Sequence, residues 1–281
     1  MTQEPTLAED PEAYWNEQAG PIWVSHQEDL DRLLTPVAER LLAAAAPQAG
    51  EHVIDVGCGC GATTLRLAEC VGAGGRVVGV DLSRPMLARA AERAAGMSQV
   101  ALHASDAATH SFEAGDADLV LSRFGVMFFA DPSSAFSNLR RALRSTGRLC
   151  FVAWQASEKN AWATTPLRAL PELLVPDPAP EGAPGPFSLA DPARVRTLLD
   201  AAGFTQVRLE SIEGSMPVGD TPEAALRFFC QVGPLSRHIA TLEEADRNAS
   251  VERVRRYLSD GWGTDAVSFD SAYWLVRASA A

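Results

Sequence analysis

Apolar residues recur along this chain at two periods, which alternate for much of its length. Residues 11–46 carry the helical period: Leu30, Leu33, Leu34, Val37, Leu41 and Leu42 fall on one stripe, and Pro47 and Gly50 stop it. From residue 52 short, nearly continuous apolar runs take turns with helical patterns. "HVIDVG", "RVVGVDL", "VALHASD", "DADLVLSRF" and "GRLCFVAW" predict strands. "ATTLRLAEC", "SRPMLARAAERAA" and "SSAFSNLRRALR" predict the helices between them, with Ser83 as an N-cap. Apolar strands separated by helices imply an α/β, doubly wound, mostly parallel sheet covered on both faces.

After Trp154 the alternation fails. "PELLVPDPAPEGAPGPF" holds six prolines and excludes a regular element. "DPARVRTLLDAAGF" predicts a helix from near Asp191 to Gly203, and "TQVRLESI" a strand. Residues 217–263 return to helical spacing, and "VSFDSAYWLVRAS" predicts a last strand. A strand, a helical insert and a strand at the end suggest a final antiparallel pair. The expected organisation is a helical cap segment at 1–49, a core at 50–154, a Pro-rich cap insert at 155–190, a core helix and strand at 191–216, a helical cap insert at 217–264 and a final core strand at 265–281.

Composition narrows the partners. The 281 residues carry a net charge of −12, which repels a nucleic-acid backbone. Arg140, Arg141, Arg144 and Arg148 form the densest basic stretch, and their spacing predicts a solvated helix face. The first residues are acidic and lack the apolar core of a signal peptide, and no apolar run reaches the ~18 residues of a membrane span, so no membrane partner is expected. Five cysteines, an odd number, predict free thiols and a cytoplasmic setting. Nothing indicates an oligomeric state.

The chemistry concentrates in "VIDVGCGCGATTLRLAE", residues 53–69. Gly57, Gly59 and Gly61 let backbone approach a ligand closely, and the following helix turns its N-terminal amides toward the loop. A dinucleotide, a phosphate and a sulfonium cofactor would each suit such a loop. Gly57, Gly59 and Ala62 satisfy the dinucleotide fingerprint, and Asp81 ends the next strand where it can accept from ribose hydroxyls. Asp55 stands two residues before the first glycine, where it repels a pyrophosphate and attracts an ammonium group. Asp106, after the third strand, can accept from an adenine amino group. Cys58 and Cys60 form only half a zinc site, so no metal is expected.

These residues resemble the class I S-adenosylmethionine-dependent methyltransferases, in the small-molecule group similar to the ubiquinone and menaquinone biosynthesis enzymes. The resemblance covers residues 50–154 through "VIDVGCGCG", "VVGVDLSRPML", "SDA" and "FEAGDADLVLSRFGVMFF", and runs more loosely through "DPARVRTLLDAAGF". It implies seven strands with the last antiparallel, a helical cap, and S-adenosyl-L-methionine as cofactor. It implies that Asp55 and the loop of Gly57, Cys58, Gly59 and Gly61 hold the methionine part and that Asp81 holds the ribose. Leu82 and Met86 would pack on the adenine, Asp106 and Ala107 would meet its edge, and Ser122 would offer backbone to the amino group. Arg123 and Phe124 would sit beside the methyl. The implied reaction is in-line methyl transfer to a small, partly apolar metabolite. The alternatives are a non-catalytic protein that binds the same cofactor and an NAD(P)-dependent oxidoreductase.

On the acceptor side, His26 lies in a segment that folds over the cofactor in this family and is the candidate base. Trp15, Trp23, Phe124 and His238 are candidates for the acceptor pocket. Tyr14, Trp162, Phe228, Phe229, Tyr257 and Trp262 either join them or form the cap's own core. "SRFGVMFF" occupies the place where nucleic-acid amino-methylating enzymes of this fold carry an Asn/Asp-Pro-Pro-aromatic run, which again disfavours nucleic acid.

Overall fold

In the computed structural model, which describes Leu7 and residues 9–171 and 182–281, seven strands form one sheet in the order β3-β2-β1-β4-β5-β7-β6. They are β1 (His52–Val56), β2 (Arg76–Asp81), β3 (Val100–Ala104), β4 (Ala117–Arg123), β5 (Leu143–Trp154), β6 (Thr205–Gly219) and β7 (Val267–Ser279). β1 pairs in parallel with β2 and β4, β2 with β3, and β4 with β5. The last strand is antiparallel, as the sequence suggests. The chain builds outward from β1 in both directions, so the carboxyl ends of β1 and β4 flank the switch point, where open α/β sheets hold ligands. The apolar strand runs are buried as a parallel sheet requires: Leu119, Val120, Leu121, Phe151 and Val152 are all inaccessible to solvent.

The chain divides into two units. The first comprises Met1–Trp154, Gly182–Ser211 and Trp274–Ala281, and the second Gln155–Glu181 and Ile212–Tyr273. The first unit's helices begin with a short helical turn, Pro11–Ala13, and a π-helical turn, Tyr14–Ala19, which leads into α1 (Gly20–Ser25) and α2 (Gln27–Ala45). α3 (Ala62–Val71), α4 (Arg84–Arg93), α5 (Pro132–Ala142) and α6 (Pro192–Ala201) follow. Their starts are set by caps legible in the sequence. The side chains of Ser83, Asp131 and Asp191 each accept from a first-turn N–H, and each helix has proline in its first turn. The second unit holds α7 (Pro222–Phe229), α8 (Pro234–Ala240) and α9 (Glu244–Trp262).

Two expectations change, and a third falls on residues that are not described. Residues 172–181, most of the proline-rich run, lie outside the described residues. Leu143 and Arg144 are strand, not helix, and β6 extends to Gly219, so its insert begins as extended chain. The arginine stretch is a solvated helix face only at Arg141, which is exposed on α5. Arg144 and Arg148 lie on β5, where Arg144 pairs with Asp118 at 2.6 Å and Arg148 grips both carboxylate oxygens of Glu51 at 2.8 and 2.9 Å. Arg140, on α5, donates to the carbonyls of Gly203 and Ala280. Carboxylates and carbonyls of the chain itself engage these three cations.

Candidate active site

The sheet's switch point carries a cavity of about 140 Å³, lined entirely by the first unit. One wall is the turn from β1 into α3. It reverses through three glycines with positive φ: 67° at Gly57, 53° at Gly59 and 85° at Gly61. At Gly57 a side chain has no room, because a Cβ would stand 2.6 Å from the Cα of Gly125. That contact presses the glycine loop against the end of β4. Ser122, wholly buried, fastens the same junction: its hydroxyl donates to the Val56 carbonyl at 2.7 Å and accepts from the N–H groups of Gly125 and Val126.

Two acids sit under this loop in different states of satisfaction. Asp55, at 0% exposure, accepts through Oδ2 from the hydroxyls of Thr63 and Thr64 at 2.8 and 2.6 Å. Its Oδ1 has no partner. Burial pushes its pKa up, and the two threonine hydroxyls draw it back. A buried acceptor without a donor costs about 1–3 kcal/mol, more when charged. Asp81, half-buried, accepts from the Gly59 N–H through Oδ2 and from the Ser83 N–H through Oδ1, both at 2.8 Å. Burial raises its pKa to about 6 against those two N–H groups. Its carboxylate thus ties the glycine loop to the end of β2 and still faces the cavity.

Leu82, Met86, Asp106 and Ala107 continue this wall. The Asp106 carboxylate is held by the Ala108 N–H at 2.8 Å. The π-helical turn closes over the same edge. Asn16 donates to the Leu82 carbonyl and accepts from the Arg84 N–H, and the Ser83 hydroxyl donates to the Trp15 carbonyl. Trp15 meets Trp23 and Phe128 edge to face, with ring centres 6.3 and 5.2 Å apart.

The rest of the lining includes one stripe of α2, comprising Gln27, Leu30, Asp31 and Leu34, with Trp23 before it and Arg123 and Phe124 from the end of β4. Phe124 has φ of 67°, strained for a bulky residue, and stacks on Trp154 at 4.1 Å. Asp31 Oδ2 accepts from Arg93 at 2.7 Å and from Gln27 at 2.6 Å. The Arg123 side chain makes no hydrogen bond or ion pair with any described residue, though its backbone is registered against Val152 of β5. Burial lowers its pKa, while the charges of Asp31 and Asp55 raise it.

The cavity therefore gathers Trp15, Trp23, Gly57, Cys58, Gly59, Asp81, Leu82, Met86, Asp106, Ala107, Arg123 and Phe124 from the expected set. Asp55, Gly61 and Ser122 stand behind the lining. His26 is placed elsewhere. It occupies the break between α1 and α2, and it lines a polar surface groove with Glu28, Asp29, Arg89 and Glu92. His238 lies on α8 of the second unit. In that unit Phe228 meets Phe229, and both Phe229 and Trp262 meet Phe269, with centres 5.1–5.8 Å apart, as a core of its own. Sequence reading missed Gln27, Asp31, Gly125 and the Thr63–Thr64 pair. The first two had a signal: both are polar residues on the stripe of Leu30 and Leu34.

Two observations bear on which cofactor fits. The unpartnered oxygen of Asp55 is suited to a cationic amino group and opposed to a pyrophosphate. The cradle at Gly57 admits backbone contact that a Cβ would fill. Comparison with known proteins agrees. A family model described as a methyltransferase domain matches residues 53–147. The chain is 34% identical over 233 residues to nocamycin O-methyltransferase of Saccharothrix syringae, covering 76% of this chain and 82% of that one. It is 36% identical over 121 residues to aklanonic acid methyltransferase DauC of Streptomyces sp. (strain C5), covering 42% and 55%. In fold it is similar to a phosphoethanolamine N-methyltransferase of Haemonchus contortus, with a TM-score of 0.57 at 17% identity over 98% of this chain and 60% of that one. A glycine loop between two acids, on a sheet of this order and with a relative matched over most of its length, makes this chain a member of the class I S-adenosylmethionine-dependent methyltransferases.

Proposed function

We propose that this enzyme moves a methyl group from S-adenosylmethionine to an oxygen of a small, partly apolar metabolite by in-line displacement. The observation that carries the proposal is the two-walled cavity, with acids and backbone on one side and an apolar helix stripe on the other. The O-methyltransferase matched over 82% of its length supports oxygen as the target. When bound, the cofactor supplies a methyl group activated by a positively charged sulfur.

The residues hold, orient and exclude. In this reading the glycine-loop backbone and Asp55 bind the methionine part, and Asp81 accepts from the ribose hydroxyls. Leu82 and Met86 cover the adenine, with Asp106 and Ala107 at its edge. Trp15, Trp23 and Phe128 keep water out, and Leu30 and Leu34 seat the acceptor at a near-attack distance of ~3–3.5 Å. Among the described lining residues there is no histidine, lysine or tyrosine, and burial pushes the thiols of Cys58 and Cys60 up, the latter to about 11. An acceptor oxygen that arrives already deprotonated suits such a lining.

We propose a cytoplasmic setting, supported by five free cysteines, and an acceptor other than nucleic acid, supported by the net charge of −12. No helix among the described residues is long and apolar enough to cross a membrane. The test is incubation with methyl-labelled cofactor and fractionated metabolites, followed by mass analysis. Label in an organic-soluble small molecule is expected. Tight cofactor binding with no labelled product in any fraction would instead favour a non-catalytic binding protein.

A further inference from the structure

Along the α2 stripe two leucines and two polar residues run side by side: Leu30 with Leu34, and Gln27 with Asp31, each pair one turn apart. An acid on an apolar stripe loses hydration, so it is kept only where partners replace the water. For Oδ2 of Asp31 those partners are Arg93 at 2.7 Å and the Gln27 amide at 2.6 Å. Both donors are themselves fixed. Arg93 gives its other terminal nitrogen to the Cys60 carbonyl at 2.6 Å. Gln27 accepts from Arg89 Nε at 3.1 Å, which sets the amide so that its NH2 group meets Asp31. Oδ1 of Asp31 accepts from no described residue. Unlike Oδ1 of Asp55 it is not enclosed, and it belongs to a side chain that lines the cavity at 23% exposure. The charge is already balanced, because Arg93 pairs with it and Arg123 lies within its field. The geometry leaves open one acceptor direction, suited to a neutral donor and not to a further cation.

Resting on the methyltransferase reading above, we propose that Asp31 is a specificity-determining residue for the acceptor, taking through Oδ1 a hydrogen bond from one of its hydroxyl groups. The acceptor is then a partly apolar molecule with two oxygens in different roles. One is ionised and takes the methyl, which suits a lining without histidine, lysine or tyrosine among its described residues. The other is a neutral hydroxyl that donates to Asp31 and is not methylated. Leu30 and Leu34, beside the acid on the same stripe, cover the apolar body. A molecule of the same shape that lacks the hydroxyl leaves Oδ1 without a partner. One that carries an ether there sets two acceptor oxygens against each other, so it is rejected more strongly.

The test uses protein saturated in S-adenosylhomocysteine. Calorimetry compares the isomeric hydroxy-2-naphthoates with 2-naphthoate and with their methyl ethers, in wild type, Asp31→Asn and Arg93→Met. Wild type should bind at least one hydroxy isomer about tenfold tighter than either counterpart, roughly the worth of a hydrogen bond to a charged group. Asp31→Asn gives the sharpest signature. Arg93 and Gln27 both donate to the Oδ2 position, so the amide oxygen takes that place and the NH2 group takes the place of Oδ1. The cavity then presents a donor, the methyl ether draws level with the hydroxy isomer, and both exceed 2-naphthoate. Arg93→Met leaves the carboxylate unfixed and shrinks the preference for the hydroxyl. A merely structural Asp31 would change the melting temperature and leave the order of the probes as it was. No hydroxy isomer preferred by wild type, whether because none binds or because all probes bind alike, overturns the proposal. So does the wild-type order surviving in Asp31→Asn. Failure of wild type to bind S-adenosylhomocysteine at all instead removes the methyltransferase reading, and this proposal with it.

Discussion

The two walls of the cavity are made by different means. The glycine-loop wall is mostly backbone, fixed by close approach and by acids under the turn: Gly57 against Gly125, and Asp81 bridging Gly59 and Ser83. The α2 wall is side chain, a helical stripe whose apolar members, Leu30 and Leu34, flank the polar pair Gln27 and Asp31. A backbone wall can bind only what its shape dictates, because few substitutions leave it standing. A side-chain wall can be rewritten one residue at a time without disturbing the sheet. In the proposed reading the shared cofactor lies on the first wall and the variable acceptor on the second.

Substitutions on the two walls should therefore have separable effects. The largest is expected from Gly57→Ala. A Cβ there meets the Gly125 backbone at 2.6 Å in a left-handed conformation, which combines backbone strain with overpacking for a loss of about 2–4 kcal/mol. Thermal melting should drop, and calorimetry should find S-adenosylhomocysteine binding abolished. Asp55→Asn comes next. Burial disfavours this charge in the free protein, so the apo form should melt no lower, while ligand affinity falls at least tenfold, roughly the worth of a hydrogen bond to a charged group. Equal losses of stability and affinity would reduce Asp55 to a cap on α3.

Asp81 predicts a smaller, pH-dependent effect. Only the carboxylate accepts freely from two hydroxyls, so affinity for S-adenosylhomocysteine should weaken as pH falls through about 6 and stay flat in Asp81→Asn. The stability slope has the opposite sense. A folded pKa above the ordinary ~3.9 means the folded state holds the proton longer, so the apo protein loses stability as pH rises from about 4 to about 6. Melting temperatures of wild type against Asp81→Asn across that range check the sign. The smallest effect belongs to His26→Ala. His26 lines a surface groove outside the cavity, and turnover at neutral pH should stay within about twofold of wild type, as for most positions away from a site. A drop of an order of magnitude would bring His26 into the chemistry.

The same contrast explains what could be read from the chain. The glycine-loop wall was legible because its demands are local: glycines two apart, an acid before them and an acid at the next strand's end. The strands were legible because parallel pairing buries both faces and leaves continuous apolar runs. The α2 wall was not, because the helical period assigns Leu30 and Leu34 to the core without saying that the core opens there. Asp31 and Gln27, on that stripe, were the overlooked clue. His26 falls outside the cavity lining because the helix breaks at that residue, with φ of −111°, which sequence periodicity does not show. Arg144 and Arg148 looked like a solvated face because their partners, Asp118 and Glu51, are distant in sequence.

Leu34→Phe tests the division of labour most directly, by calorimetric titration with S-adenosylhomocysteine. Leu34 is buried on the α2 stripe at 6% exposure and lines the cavity, and a larger ring there should intrude on the acceptor's share of the space. A Kd within about threefold of wild type is expected, together with a loss of methyl transfer. A Kd that collapses as it does in Gly57→Ala would contradict it, because the two walls would then form one undivided site.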